Sequence, residues 1–149
     1  MATVTRDVAA SPEQVWAVLA DGWSYAGWVV GASRMRGVDD DWPVSGSRLH
    51  HSVGVWPLLI NDSTSVLESE PGRRIVLQAR AWPAGEARVE VQLEPVDIPG
   101  GPRGCRVIMS EAPTHGPGRA LHNPVNELLL TKRNVESLLR LAQLAEGRA

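Results

Sequence analysis

The chain has 149 residues, 43% hydrophobic and 21% charged, with a formal net charge of −2, a length and balance that suit one globular domain with one core. The near-neutral charge argues against a basic nucleic-acid-binding face, and no apolar run reaches the roughly 20 residues of a membrane-spanning helix. One cysteine, Cys105, excludes an internal disulfide, and the first residues, Met1 to Arg6, lack the apolar stretch of a secretory leader, so a cytoplasmic location is expected.

Thr3 to Ala9 alternates, with Val4, Arg6 and Val8 on one side, and predicts a strand. Ser11-Pro12-Glu13-Gln14 places Ser at the N-cap, Pro at the first helical position and Gln at the third, a strong helix start. Val15, Trp16, Val18 and Leu19 give this helix its apolar face, and Gly22 supports a stop near Asp21. Trp23 to Val30 is aromatic-rich and reads as a second short helix. Ala32 to Val38 reads as a strand, and Asp39-Asp40-Asp41-Trp42-Pro43 as a solvated acidic turn, because the spaced acceptors of a calcium loop do not follow.

From Gly46 onward the pattern is a meander. Strands are expected at Arg48 to Val55, Leu59 to Glu68, Arg74 to Trp82, Ala87 to Glu94 and Arg106 to Ala112. Trp56-Pro57-Leu58 forms the first turn. Pro71-Gly72 suits a type II turn with Gly at the third position, and Pro83-Ala84-Gly85 a three-residue hairpin loop. Pro113 to His122 reads as a connector. Asn123-Pro124 repeats the cap signal, and a long helix runs to about Ala145, with Leu128, Val135, Leu138, Leu139 and Ala142 as its apolar stripe. The order is strand, two short helices, a run of antiparallel strands and a long helix, which is an α+β layer arrangement.

The stretch Val8-Ala9-Ala10-Ser11-Pro12-Glu13-Gln14-Val15-Trp16-Ala17-Val18-Leu19-Ala20-Asp21, followed by Tyr25 and Trp28, resembles the opening of the START-like superfamily of polyketide cyclases/dehydrases and lipid-transport proteins (the SRPBCC or helix-grip fold). Pro43 through Gly46-Ser47-Arg48, and Val66-Leu67-Glu68 leading into Pro71-Gly72-Arg73-Arg74-Ile75, fit the same pattern. The resemblance runs over essentially the whole chain and implies one domain, residues 1–149. It implies a curved antiparallel sheet of about seven strands around the C-terminal helix, with a cavity for a small hydrophobic ligand between them. Its members are lipid carriers, hormone receptors, co-chaperone domains and aromatic polyketide cyclases, so the fold does not select one function.

Hairpin register gives a test of faces. Pairing Val66 with Leu77 and Thr64 with Ala79 across Pro71-Gly72, Ala79 with Val89 and Leu77 with Val91 across the next loop, and Val53 with Asp62 and His51 with Thr64 across Trp56-Pro57 makes one mostly apolar face. It carries Leu49, His51, Val53, Val55, Ile60, Asp62, Thr64, Val66, Leu77, Ala79, Ala81, Val89 and Val91. Ala79 and Ala81 are small, leaving space for a ligand or for close approach of the long helix. His51 and Asp62 are polar on this apolar face and are candidates for a general base and its orienting partner. Met109 and Glu111 share a parity on the last strand, and Glu111 could pair with Arg6 on the adjacent first strand.

The candidate site is therefore His51 and Asp62 as catalytic groups, with Arg6, Trp28, Thr64, Ala79, Ala81, Met109 and Glu111 as ligand-binding groups. The six Trp, with one Tyr and no Phe, serve either as core filler or as walls for a flat apolar ligand. His50, His51, His115 and His122 lack metal-site spacing, so no metal and no cofactor are expected. Three functions remain open: binding of a small hydrophobic molecule, a cyclase or dehydratase, and a protein-interaction module using Trp42 or Trp56. The expected partner is a small molecule, with no nucleic acid and no membrane insertion. The chain itself is expected as a monomer or homodimer.

Overall fold

The computed structural model describes residues 2–30, 32–53, 60–81, 85–101, 103–115 and 124–148. Strand β1 (Ala2–Val8) leads into α1 (Pro12–Ala20), a 3-10 turn (Gly22–Ser24) and the short α2 (Tyr25–Trp28). Strands β2 (Ala32–Val38), β3 (Arg48–Val53), β4 (Ile60–Glu70), β5 (Arg74–Ala81), β6 (Gly85–Asp97) and β7 (Arg103–His115) follow, and α3 (Pro124–Arg148) ends the described chain. The sheet has the order β1-β7-β6-β5-β4-β3-β2, and every neighbouring pair is antiparallel. The two helices after β1 carry the chain from one edge of the sheet to the other, and the meander then brings β7 back beside β1. This is the α+β helix-grip architecture expected from the sequence: an open, curved seven-stranded sheet with one long helix.

Local chemistry explains the element boundaries. Ser11 Oγ accepts the Gln14 backbone N–H while the Gln14 side chain accepts the Ser11 N–H, a complete capping box. Gly72 has φ of 78° and Arg73 N–H donates to the Glu70 carbonyl at 2.9 Å, the geometry of the expected type II turn. Register shifts in β2, in β4 between Val66 and Glu68, and in β6 between Glu86 and Ala87 are bulges of the kind that bend a sheet.

Strands β6 and β7 run past the ends expected for them and include Pro95 and Pro113. Both prolines lie where the strand is paired on one side. The β5 ladder ends at Gln92 and the β1 ladder at Glu111, so neither missing N–H breaks a ladder.

The pairings Val66↔Leu77 and Thr64↔Ala79 form as expected. The β3–β4 and β5–β6 pairings differ from expectation by two residues: His51 faces Asp62, Leu49 faces Thr64, Leu77 faces Val89 and Ala79 faces Ala87. A shift of two preserves side-chain parity. Leu49, His51, Thr64, Val66, Leu77, Val89 and Val91 are accordingly all buried.

Of the stripe expected on α3, Leu138 and Ala142 are buried and Leu139 is partly buried, but the other two members are not. Leu128 and Val135 are exposed, whereas Asn134, Ser137, Leu138, Leu141, Ala142 and Ala145 are buried. This stripe packs near β1, α1 and α2. The Trp56-Pro57-Leu58 turn, residues 82–84 of the next hairpin loop, residues 116–122 of the connector and the Asn123 cap lie outside the described residues.

Candidate functional site

The strongest polar feature of the interior is a chain of three side chains. His51 on β3 is 2% exposed and Thr64 on β4 is fully buried. His51 Nε2 lies 2.8 Å from Thr64 Oγ1, and Tyr25 Oη lies 3.2 Å from the same oxygen. The Tyr25 ring stacks on the imidazole with centroids 5.5 Å apart and planes 19° apart. Trp28 meets Tyr25 edge-on at 5.7 Å, a favoured aromatic geometry. Three aromatic or heteroaromatic rings and two hydroxyls thus form one unit, positioned by α2 and two adjacent strands.

Thr64 has one proton to give and two lone pairs to accept with, so it donates to at most one of its two partners. When the Tyr25 hydroxyl donates to Thr64 and Thr64 donates to Nε2, the imidazole presents Nδ1–H as a donor. When Nε2–H donates to Thr64 and Thr64 donates to the Tyr25 oxygen, Nδ1 is an acceptor. His51 Nδ1 is buried and has no hydrogen-bond partner among the described residues. Burial pushes the His51 pKa below its ordinary value of 6.5, outweighing the nearby Asp62 carboxylate, which pulls the other way. The ring is therefore neutral near pH 7. Burial likewise raises the Tyr25 pKa, and the phenol stays protonated.

Asp62 faces His51 directly in the register but does not orient its ring. Its Oδ1 accepts the Ser63 backbone N–H at 2.9 Å and lies 3.5 Å from Arg80 Nε. Nε2 of His51 reaches diagonally to Thr64 instead, a reach open to long side chains on adjacent strands. The His51–Asp62 dyad expected from the sequence is thus replaced by His51–Thr64–Tyr25. Arg36 on β2 adds a backbone clamp, donating from Nε to the His51 carbonyl at 3.2 Å and from Nη2 to the Asp62 carbonyl at 3.0 Å.

Glu111 is buried, but its partner is Arg133 of α3, whose Nη2 donates to Glu111 Oε2. The expected Arg6–Glu111 pair does not form. Glu111 stands opposite Ala2, and Arg6 stands opposite Val107, an offset of four residues or about 13 Å along the strand. Arg6 is exposed, which removes it from the interior set. Trp28, Thr64 and Met109 are buried, and Ala79 is partly buried. The side chain of Ala81 lies outside the described residues.

Three residues of this region were not among the candidate site residues read from the sequence. Tyr25 carried the signal of being the single Tyr in a Phe-free chain. Arg133 and Asn134 were hidden because the helix stripe was read through leucines. Asn134 is 1% exposed, and its Nδ2 is the second buried atom without a hydrogen-bond partner among the described residues. Its neighbour on the stripe, Ser137, accepts the Val30 backbone N–H through Oγ at 3.1 Å.

Other candidates resolve into structural roles. Cys105 is buried and its thiol pKa is pushed up to about 11 by that burial, so it stays protonated and non-nucleophilic. Asp39 of the acidic turn accepts the Arg48 N–H at 2.9 Å and meets His50 Nε2 at 3.1 Å. No group of three or more His, Cys, Asp or Glu among the described residues is arranged to hold a metal ion. No helix among them is long and apolar enough to cross a membrane. Trp42 is partly buried and donates from Nε1 to the Leu19 carbonyl at 3.0 Å; Trp56 lies outside the described residues.

Comparison with known proteins follows the same lines. Protein NE0264 from Nitrosomonas europaea shares 18% identity, with 98% of this chain and 94% of that one covered and a TM-score of 0.68. Zhui aromatase/cyclase from Streptomyces sp. R1128 shares 17% identity over 98% of this chain and 93% of that one, with a TM-score of 0.68. Ara h 8.0201 shares 10% identity over 97% of each chain, with a TM-score of 0.67. At these identities the likeness is one of fold. No curated protein matches the chain in sequence. The family model described as polyketide cyclase / dehydrase and lipid transport matches residues 1–146, and the chain therefore belongs to that family.

Proposed function

We propose that this chain, acting as a single domain, binds a small and largely apolar molecule between the concave face of the sheet and α3. The observation that carries this reading is His51 Nδ1, a buried polar atom without a hydrogen-bond partner among the described residues, beside Tyr25 and Trp28. A buried polar atom left unsatisfied costs about 1–3 kcal/mol, and pockets combine apolar walls with a few such groups. A ligand hydroxyl or carbonyl completes the bond and selects the direction of the Tyr25–Thr64–His51 chain. Titration with apolar and aromatic compounds, followed by Trp fluorescence and by melting, tests this reading. Saturable binding that raises the melting temperature is expected. Binding that is unchanged when His51 is replaced by Leu would remove the role given to Nδ1.

A second reading is catalysis, favoured by the neutral, buried imidazole linked through Thr64 to a phenol. Such a ring takes a proton from an acidic carbon or hydroxyl of a bound molecule at Nδ1 and returns it to another atom of the same molecule. The Zhui protein, an aromatase/cyclase, shares the fold. In this reading His51 is the base, and Thr64 with Tyr25 takes the orienting place first assigned to Asp62. Turnover of a bound poly-carbonyl compound that survives His51→Ala would eliminate it.

A further inference from the structure

His51 and Asn134 hold the buried side-chain polar atoms that lack hydrogen-bond partners among the described residues. They come from opposite layers, His51 from the sheet and Asn134 from α3. The turn of α3 that carries Asn134 also carries Arg133, which reaches Glu111 on β7. Ser137, one turn on from Asn134 along the same buried stripe, accepts the Val30 backbone N–H just past α2 at 3.1 Å, so this part of α3 packs against the short helix that carries Tyr25 and Trp28. An amide Nδ2 is a donor only, and the atom that satisfies it must be an acceptor.

The charges narrow the ligand further. Every described Lys and Arg is either exposed or paired with a carboxylate: Arg133 with Glu111, Arg74 with Glu68 and Glu90, Arg140 with Glu136. The interior side of Glu111 is already neutralised. Among the described residues no buried, unpaired cation is left to meet a carboxylate ligand, and burying an unpaired charge is far more costly than burying a neutral oxygen.

The geometry points to a neutral ligand whose carbonyl-type oxygen is taken by the Asn134 side-chain amide. This inference rests on the ligand-binding reading above and specifies its chemical class: neutral oxygenated compounds rather than fatty or aromatic acids.

Three probes with one skeleton test it: methylnaphthalene, acetylnaphthalene and naphthoate, titrated calorimetrically at pH 7.5 into the full chain and into Asn134→Leu. Asn134→Ala, which only removes atoms, accompanies it in case the Leu variant fails to fold, as judged by melting. The ketone should bind about tenfold more tightly than the hydrocarbon and than the acid. Its advantage over the hydrocarbon should vanish in the folded variant. Naphthoate binding as tightly as the ketone overturns the inference, and so does a ketone advantage that survives in the variant; both leave the ligand-binding reading standing. Binding of none of the three overturns that reading and the inference with it.

Discussion

At the scale of single residues, Thr64 is the pivot. Its hydroxyl satisfies both Tyr25 and His51 Nε2. Thr64→Val keeps the shape and strands both partners, and should destabilise the fold by about 1–3 kcal/mol in denaturant melts. Tyr25→Phe removes one end of the chain and should cost about 1 kcal/mol or less by the same measure. His51 also sets a pH dependence. Its folded pKa lies below the ordinary 6.5, so the unfolded chain binds the proton first as the pH falls. Stability should be unaffected by this group above about pH 7 and be lost as the pH drops through 6.5 toward the folded value. Comparing melting temperatures at pH 7.5 and 5.5 checks this: His51→Gln should lose less on acidification than the parent chain.

At the scale of elements, the close approach of β7 to β1 depends on Gly104. A Cβ placed there would stand 2.7 Å from the Val8 carbonyl oxygen and press on the Ile98 side chain. The carbonyl belongs to paired backbone and cannot swing away as a side-chain tip does. Gly104→Ala should therefore destabilise by about 1–3 kcal/mol, whereas Gly147→Ala, with open space around its Cβ, should not. At α1, Ser11→Ala removes the accepting half of the capping box and should cost about 1 kcal/mol.

At the scale of the molecule, α3 is tied to the rest of the fold along its length. Arg133 binds Glu111 on β7, Glu146 accepts the Ala9 N–H after β1, and Arg148 meets Asp21 after α1. These ties differ in worth. Removing Arg133 strands a buried carboxylate, while Arg140 and Glu136 form an exposed pair on one helix. Arg133→Met should lower stability by about 1–3 kcal/mol, and Arg140→Met by no more than about 0.5 kcal/mol, in parallel denaturant titrations.

The alternation of β1 and of the meander, the Ser11 capping box and the Pro71-Gly72 turn determined the order and type of nearly every element, because each is set by backbone preference within a few residues. Parity along the strands also determined that His51 and Thr64 point inward. A two-residue error in register left that conclusion intact, since side chains repeat every second residue. Register did not decide the chemistry: it sets Asp62 directly opposite His51, yet the imidazole bonds its diagonal neighbour Thr64, with Tyr25 of α2 stacked on the ring. Asp62 was matched to His51 from strand neighbours alone, while Thr64 and Tyr25, one of them on a short helix far away in sequence, hold the ring. Arg133 was hidden by an apolar pattern that shares only Leu138 and Ala142 with the buried face of α3, and only tertiary packing decided which side faces in. Local sequence thus determined the scaffold, and tertiary packing alone decided which buried polar atoms found partners among the described residues.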